Sequence, residues 1–192
     1  TVLLRPPPQW EFRWWLEDPN AVPGVSPTDL VSKVNTILNE SPKSWGVQTG
    51  VKFVQVPTMA EANIVLRFTD APIPGGFAGL GWYYFDAALG KNVAQVTAQP
   101  WFFHDRWELT YILGMELAGH GCFRMWDMYM PPEHLPYPRG NMGGYFAAEA
   151  TQGWPTVLET QCAKAWLLGQ AVHVHMHNFT VPNAAEHVHG EP

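Results

Sequence analysis

The order of strand and helix patterns in the first third of the chain most constrains its fold. In "WEFRWWL", which begins at Trp10, every second residue is apolar, as in a half-buried β-strand. Residues 26–40 then repeat apolar side chains at helical spacing. They are followed by "VKFVQV" (51–56) and "ANIVLRF" (62–68), two short runs rich in β-branched residues. This order predicts a sheet covered by helices.

The helix over residues 26–40 has a recognisable start and end. Ser26 suits the N-cap, Pro27 the first helical position and Asp29 the first turn. Pro42 predicts the end of the helix, because proline removes a backbone donor and clashes with the preceding turn.

The second half of the chain continues the mixed pattern. Its segments are the strands in "GGFAGLGWYYF" (75–85) and "NVAQVTA" (92–98), a helix over 104–121, an irregular stretch over 131–155 and a helix over 155–169. We therefore predict an α/β (α+β) fold, with a twisted mixed sheet of about five strands, two long helices and a C-terminal helix.

Length and charge bound the organisation and the partners. A chain of 192 residues suits one domain, which we place at 10–169 between an extended arm at 1–9 and a His-rich extension at 170–192. A net charge of −6 with only 11 Lys and Arg residues argues against nucleic acid. The sequence also contains no apolar run long enough to span a membrane. Because it begins without Met, we expect a removed leader and an extracellular or particle-associated location.

The stretch "MELAGHGCFRM" has the layout of a zinc motif with its ligands changed. It resembles the H-E-x-x-H-x-x-G-x-x-H signature of the metzincin metalloproteases, closest to the matrixin type. On that alignment Glu116 takes the place of the general base. Met115, Gly119 and Met125 take the places of the three histidine ligands, and Cys122 that of the glycine.

The resemblance covers roughly residues 8–169 and implies a metzincin fold. It includes a Met-turn in "DMYMPP", with Met128 or Met130 as the methionine beneath the site. It also implies that catalytic zinc is absent, because glycine has no ligand atom and thioethers are poor ligands for Zn²⁺. Without zinc, Glu116 has no activated water to deprotonate.

Two rearranged metal sites remain as alternatives. In a regular α-helix His120 lies about 100° from the expected ligand position. A π-bulge or an early helix end would bring it back towards Glu116 and allow a zinc site built from Glu116, His120 and one or more histidines of the C-terminal tail. Separately, "HVHMH" places His173, His175 and His177 at strand spacing, a pattern that suits zinc, nickel or copper.

His187 and His189 in "EHVHG" are candidates to join that second site. Asp70 and Asp86 flank the Gly-rich segment and leave calcium open. Whether Cys122 and Cys162 pair in a disulfide also stays open, because sequence separation does not fix the Cα distance.

The sequence therefore leads to one expectation and two alternatives. We expect a catalytically inactive, metzincin-like domain without a metal at the changed motif. It would act as a structural or binding module that associates with itself or with a protein partner through its arms. The alternatives are a zinc endopeptidase with rearranged ligands and a metal-binding protein that uses the His-rich strand.

Overall fold

The structure is a computed structural model that describes residues 10–71, 79–80, 85–98, 107–123, 125, 141–143, 151–168, 175–177 and 187–189. Its strands are β1 (Glu11–Leu16), β2 (Lys52–Gln55), β3 (Ile64–Thr69), β4 (Gly79–Leu80), β5 (Phe85–Asp86), β6 (Lys91–Thr97), β7 (His175–His177) and β8 (His187–His189). Its α-helices are α1 (Pro27–Asn35), α2 (Trp45–Thr49), α3 (Glu108–Ile112) and α4 (Val157–Leu167). Two π-helical segments (Thr36–Glu40 and Leu113–Cys122) and two 3₁₀ turns (Met59–Glu61 and Asn141–Gly143) complete the list. The predicted mixed α/β class is confirmed.

The main sheet runs in the order β2-β1-β3-β6-β4, and β5 also pairs with β6. Strands β2, β1, β3 and β6 are parallel, whereas β4 and β5 lie antiparallel to β6. Helix α1 makes the crossover between the parallel strands β1 and β2, because two parallel neighbours cannot be joined by a tight turn. The strand predicted in "GGFAGLGWYYF" is described only as the two-residue strands β4 and β5.

The ends of helix α1 lie close to where the sequence predicts them. The Ser26 side chain accepts a hydrogen bond from the Asp29 backbone N–H, and Pro27 is the first helical residue. The helix continues as the π-helical segment Thr36–Glu40 and stops before Pro42. The last hydrogen bond, from Ser41 N to Thr36 O, spans five residues at 3.2 Å.

An aromatic cluster joins the first helices, the sheet and the end of the third helix. The Phe123 ring lies 5.8 Å from Phe12 on β1, 6.0 Å from Phe53 on β2 and 5.2 Å from Trp45 on α2, measured between ring centroids. Phe123 is 1% exposed. Edge-to-face contacts of this kind add to the free energy of burial. The residues just before Phe123 are therefore held against the sheet.

The Asn39 side chain makes the hydrogen bonds that the backbone of a neighbouring strand would make at the edge of β2. Its Nδ2 donates to Phe53 O at 2.8 Å, and its Oδ1 accepts from Phe53 N at 3.0 Å. Both backbone groups of Phe53 are thus paired although they face a helix.

Replacing Asn39 by leucine is expected to lower the free energy of unfolding by about 2–4 kcal/mol, because two partly buried backbone groups lose their partners. Urea unfolding measures the change. Asn35→Ala is the matched control, since it removes the bond between Asn39 Nδ2 and Asn35 Oδ1 and leaves those to Phe53 in place. Equal losses in the two variants would contradict this role for Asn39.

Two predictions concern the rest of the chain. The predicted arm at 1–9 lies outside the described residues. Among the residues that are described, no helix has the length and apolar character needed to cross a bilayer.

Candidate functional site

The stretch that resembles a zinc motif lies on a helix that is largely π-helical. We call residues 108–122 the motif helix: α3 supplies its first turn, and the segment from Leu113 to Cys122 follows the wider π pattern. Its last bond, from Phe123 N to Ala118 O at 2.8 Å, spans five residues. The prediction that His120 lies on a regular α-helix is therefore wrong for this segment. π-Helical turns are rare in proteins, and those that occur often lie at functional sites.

The motif residues are buried. Glu116 is 4% exposed, His120 5% and Met115 9%, and Gly119 is buried as well. The wider turn brings residues four and five apart onto a shared side, which reduces the angle between Glu116 and His120. The zinc site that uses His120 requires a π-bulge, and the backbone of this segment is π-helical.

The end of the motif helix fixes the His120 ring. His120 Nδ1 lies 2.7 Å from the backbone oxygen of Met125. Because a carbonyl can only accept, Nδ1 carries the proton, and Nε2 is the acceptor atom of the neutral ring. Met125 N in turn donates to Gly119 O at 2.9 Å. Met125, which the resemblance aligns with the third ligand, therefore stabilises the end of the motif helix through its backbone.

Met142 occupies the space beside Gly119, the position of the second family ligand. A Cβ placed on Gly119 would lie 2.8 Å from Met142 Cε and even closer to Met142 Sδ. Met142 is 0% exposed. Met142 therefore packs against the motif helix. Met128 and Met130, the predicted Met-turn residues, lie outside the described residues.

The turn Asn141–Gly143 follows one side of the motif helix. A Cβ on Gly114 would lie 2.7 Å from Asn141 Nδ2 and 3.1 Å from Trp45 Nε1. Gly114 and Gly119 are five residues apart, the spacing that a π-helix places on one side. Small residues at both positions let the turn approach the helix backbone. The sequence does not reveal this function of the two glycines, because it follows from the π-helical spacing.

A buried carboxylate holds the same turn. Glu159 accepts from Met142 N at 2.5 Å, from Asn141 N at 3.2 Å and from Thr156 N at 2.6 Å, and Thr156 Oγ1 donates to it at 3.0 Å. Asn141 Nδ2 also donates to the backbone oxygens of Tyr111 and Gly153 at 3.0 and 2.8 Å. The turn that carries Met142 is thereby tied to helix α4 and to the motif helix.

Burial dominates the protonation of Glu159. It raises the pKa above the ordinary value of 4.5, and the hydrogen bonds from Thr156, Met142 and Asn141 lower it by less. The sequence analysis predicts the start of this helix at Pro155 and does not identify the pair Thr156 and Glu159. The signal was present, because Thr156 and Glu159 have the spacing of a capping box and form one.

Met115, Gly119 and Met125, which the resemblance aligns with the three ligands of the zinc signature, offer no imidazole to a catalytic zinc. Among the residues whose side chains the structure describes, no group of three His, Cys, Asp or Glu side chains is arranged to hold a metal.

Asp70 and Asp86, the candidate calcium ligands, differ in their contacts. Asp86 pairs with Arg67 at 3.1 Å and accepts from the backbone of Ala88 and Leu89 at 2.9 and 3.1 Å. The bond from Leu89 contributes most to holding the pKa of Asp86 below its usual range. Arg67 also forms a two-point ion pair with Glu17. Asp70 is exposed. The Asp86 carboxylate thus joins β5 to β3.

Cys122 and Cys162 are not joined by a disulfide in the structure. Cys122 is buried at the end of the motif helix, and Cys162 is half-buried on helix α4. Burial raises the pKa of the Cys162 thiol, so it is less reactive than an exposed cysteine.

The His-rich extension contains a two-stranded antiparallel ribbon formed by β7 and β8. Its register sets His175 opposite His189, Met176 opposite Val188 and His177 opposite His187. His173 lies outside the described residues. The predicted strand spacing is thus present at His175 and His177.

The chain was compared with known proteins by family and by sequence. No protein-family model matches it, and no curated protein is significantly similar to it. The geometry of the motif helix and its neighbours therefore carries the functional interpretation.

Proposed function

We propose that the chain is a catalytically inactive, metzincin-like domain that serves as a structural or binding module in an oligomeric assembly. The observation that carries the proposal is the contact between Met142 and Gly119. The space that a ligating imidazole at position 119 needs is filled by a fully buried thioether. A side chain cannot be added there without displacing Met142.

The fold contributes further support. The main sheet has four parallel strands, with short antiparallel partners on β6, and the motif helix packs against it. This arrangement is compatible with the twisted mixed sheet of about five strands that the resemblance implies. Met142 and the Glu159 network then occupy the region that a metalloprotease needs for its metal, so the site has become part of the core.

Glu116 fits this proposal as a residue retained from a general base. A base must lie within hydrogen-bond reach of the proton it takes, directly or through one water. At 4% exposure, Glu116 lies among the packed residues of the motif helix. Association through the arms and an extracellular location remain part of the proposal, because the sequence favours both.

A second candidate, a zinc endopeptidase with rearranged ligands, has one observation in its favour. The hydrogen bond from His120 Nδ1 to Met125 O fixes the tautomer whose Nε2 can bind a metal. Glu116 lies on the same side of the π-helical turn. The remaining ligands of this candidate would come from the histidines of the C-terminal tail.

Metal content and peptidase activity distinguish the two candidates. In the full chain we expect no zinc at the motif helix, so any zinc found by elemental analysis should remain in His120→Ala. We also expect no chelator-sensitive cleavage of casein. His120→Ala and Glu116→Gln should then change neither readout.

The opposite result is equally definite. One zinc per chain that is lost in His120→Ala, together with peptidase activity lost in Glu116→Gln, would establish the endopeptidase. Sedimentation velocity of the same samples tests association. A monomer at all concentrations would contradict the oligomeric part of the proposal.

A further inference from the structure

We propose that the β7–β8 ribbon is a transition-metal site in which His175, His177, His187 and His189 bind one divalent ion of the imidazole-preferring class, Zn²⁺, Ni²⁺ or Cu²⁺. The proposal rests on the ribbon's register and is independent of the proposed function of the motif helix. It also goes beyond the site predicted from sequence, in which His187 and His189 were only candidates, because it needs both strands.

The register places four histidine positions together. His175 is opposite His189, and His177 is opposite His187. In an antiparallel pair, directly opposite residues share a face, and so do residues two apart on one strand. The four positions therefore belong to one face of the ribbon. Met176 and Val188 form the intervening pair, which belongs to the other face.

The spacing within this face suits a metal with short bonds. Directly opposite residues have Cβ atoms about 4.5–5.5 Å apart. Zinc–nitrogen bonds measure about 2.0–2.1 Å, so two imidazoles at such positions can reach one ion between them. Three imidazoles complete the protein ligand set of an open site, and a fourth closes it. A row of histidines on a single strand offers no such cross-strand pair.

Metal binding would also stabilise the ribbon. Each strand has three residues, and a two-stranded ribbon alone is marginally stable in water. A metal that joins the two strands adds its binding free energy to their pairing. We therefore expect zinc to strengthen the β7–β8 pairing as well as to bind.

Calorimetric titration of the full, tag-free chain with zinc chloride at pH 7.5 tests the site. We expect one zinc per chain. The variant His187→Ala/His189→Ala should bind more than about 100-fold more weakly, because even groups that only support a ligand cost about 10–100-fold. The variant His175→Ala/His177→Ala should lose binding to the same extent.

The matched control removes the intervening pair. Met176→Ala/Val188→Ala changes the same strands on the other face, so it should leave zinc stoichiometry unchanged. In the wild-type chain, zinc should slow hydrogen exchange at the backbone amides of Met176 and Val188. Circular dichroism of each variant verifies that the domain is folded.

Two results would overturn the proposal. Unchanged zinc affinity after His187→Ala/His189→Ala would mean that β8 contributes no ligand. Binding of several ions that neither double variant reduces would mean adventitious binding only. Neither result bears on the motif helix, whose test follows zinc content in His120→Ala and peptidase activity in Glu116→Gln.

Discussion

Replacement of Glu159 by leucine is expected to lower the free energy of unfolding by about 3–5 kcal/mol, since several buried donors lose one common acceptor. The backbone N–H groups of Asn141, Met142 and Thr156 all donate to this carboxyl group. Leucine fills a similar volume and accepts no hydrogen bond. Urea unfolding followed by tryptophan fluorescence measures the loss.

Glu159→Gln is the matched control, because it keeps the shape and one acceptor oxygen. It should cost less than the leucine variant, and it remains informative if the leucine variant does not fold. If leucine and glutamine cost the same small amount, the carboxyl group does not anchor the turn that carries Met142.

The pH dependence of the glutamine variant tests the direction of the Glu159 pKa. Burial raises this pKa above 4.5 in the folded chain. As the pH rises from 4.5 through the raised value, the unfolded chain releases its proton first, so the wild-type protein loses stability. Glutamine does not titrate. The stability advantage of the wild-type protein over Glu159→Gln should therefore be largest in acid and shrink as the pH rises. An advantage that grows with pH would mean that the hydrogen bonds to the ionised form outweigh burial.

The sheet and helix α1 could be predicted because local patterns determine them. Alternation in "WEFRWWL" reflects the two faces of β1, where Phe12, Trp14 and Leu16 are buried. The Ser26 cap and Pro42 act through the backbone of their own segment, so no tertiary information is needed. The capping box of helix α4 belongs to the same class, and weighing Thr156 with Glu159 would have found it.

The motif helix could not be predicted in the same way. The turn at Asn141–Gly143 packs along Gly114 and Gly119 of its π-helical segment. Those contacts join positions that are far apart in the sequence. The resemblance points to Met128 and Met130, which lie outside the described residues and stay a prediction. The contact of Met142 with Gly119 arises from tertiary packing, because no local pattern in the sequence links these two residues.

The ribbon register is another case of partial prediction. The spacing in "HVHMH" predicts a strand, but spacing alone cannot say which residues lie opposite. Pairing with β8 adds His187 and His189, which the sequence could only suggest as candidates.

The contact between Met142 and Gly119 leads to the second large effect. Met142→Ala is expected to lower the free energy of unfolding by about 2–5 kcal/mol, because it leaves a cavity in the core. Gly119→Ala should cost about 1–3 kcal/mol, since its new Cβ overlaps the thioether. At an exposed helical position the same change would stabilise the protein by about 1 kcal/mol.

The double variant separates this contact from two unrelated losses. With Met142 shortened, the Cβ added at position 119 has room and fills part of the cavity. The combined loss should therefore be smaller than the sum by at least about 1 kcal/mol, as measured by a double-mutant cycle in urea. Met59→Ala, in the 3₁₀ turn between β2 and β3, is the matched control and should be additive with Gly119→Ala. Additivity at Met142 would mean that its side chain and the new Cβ do not compete for the same space. An inactive domain would then lose its main support.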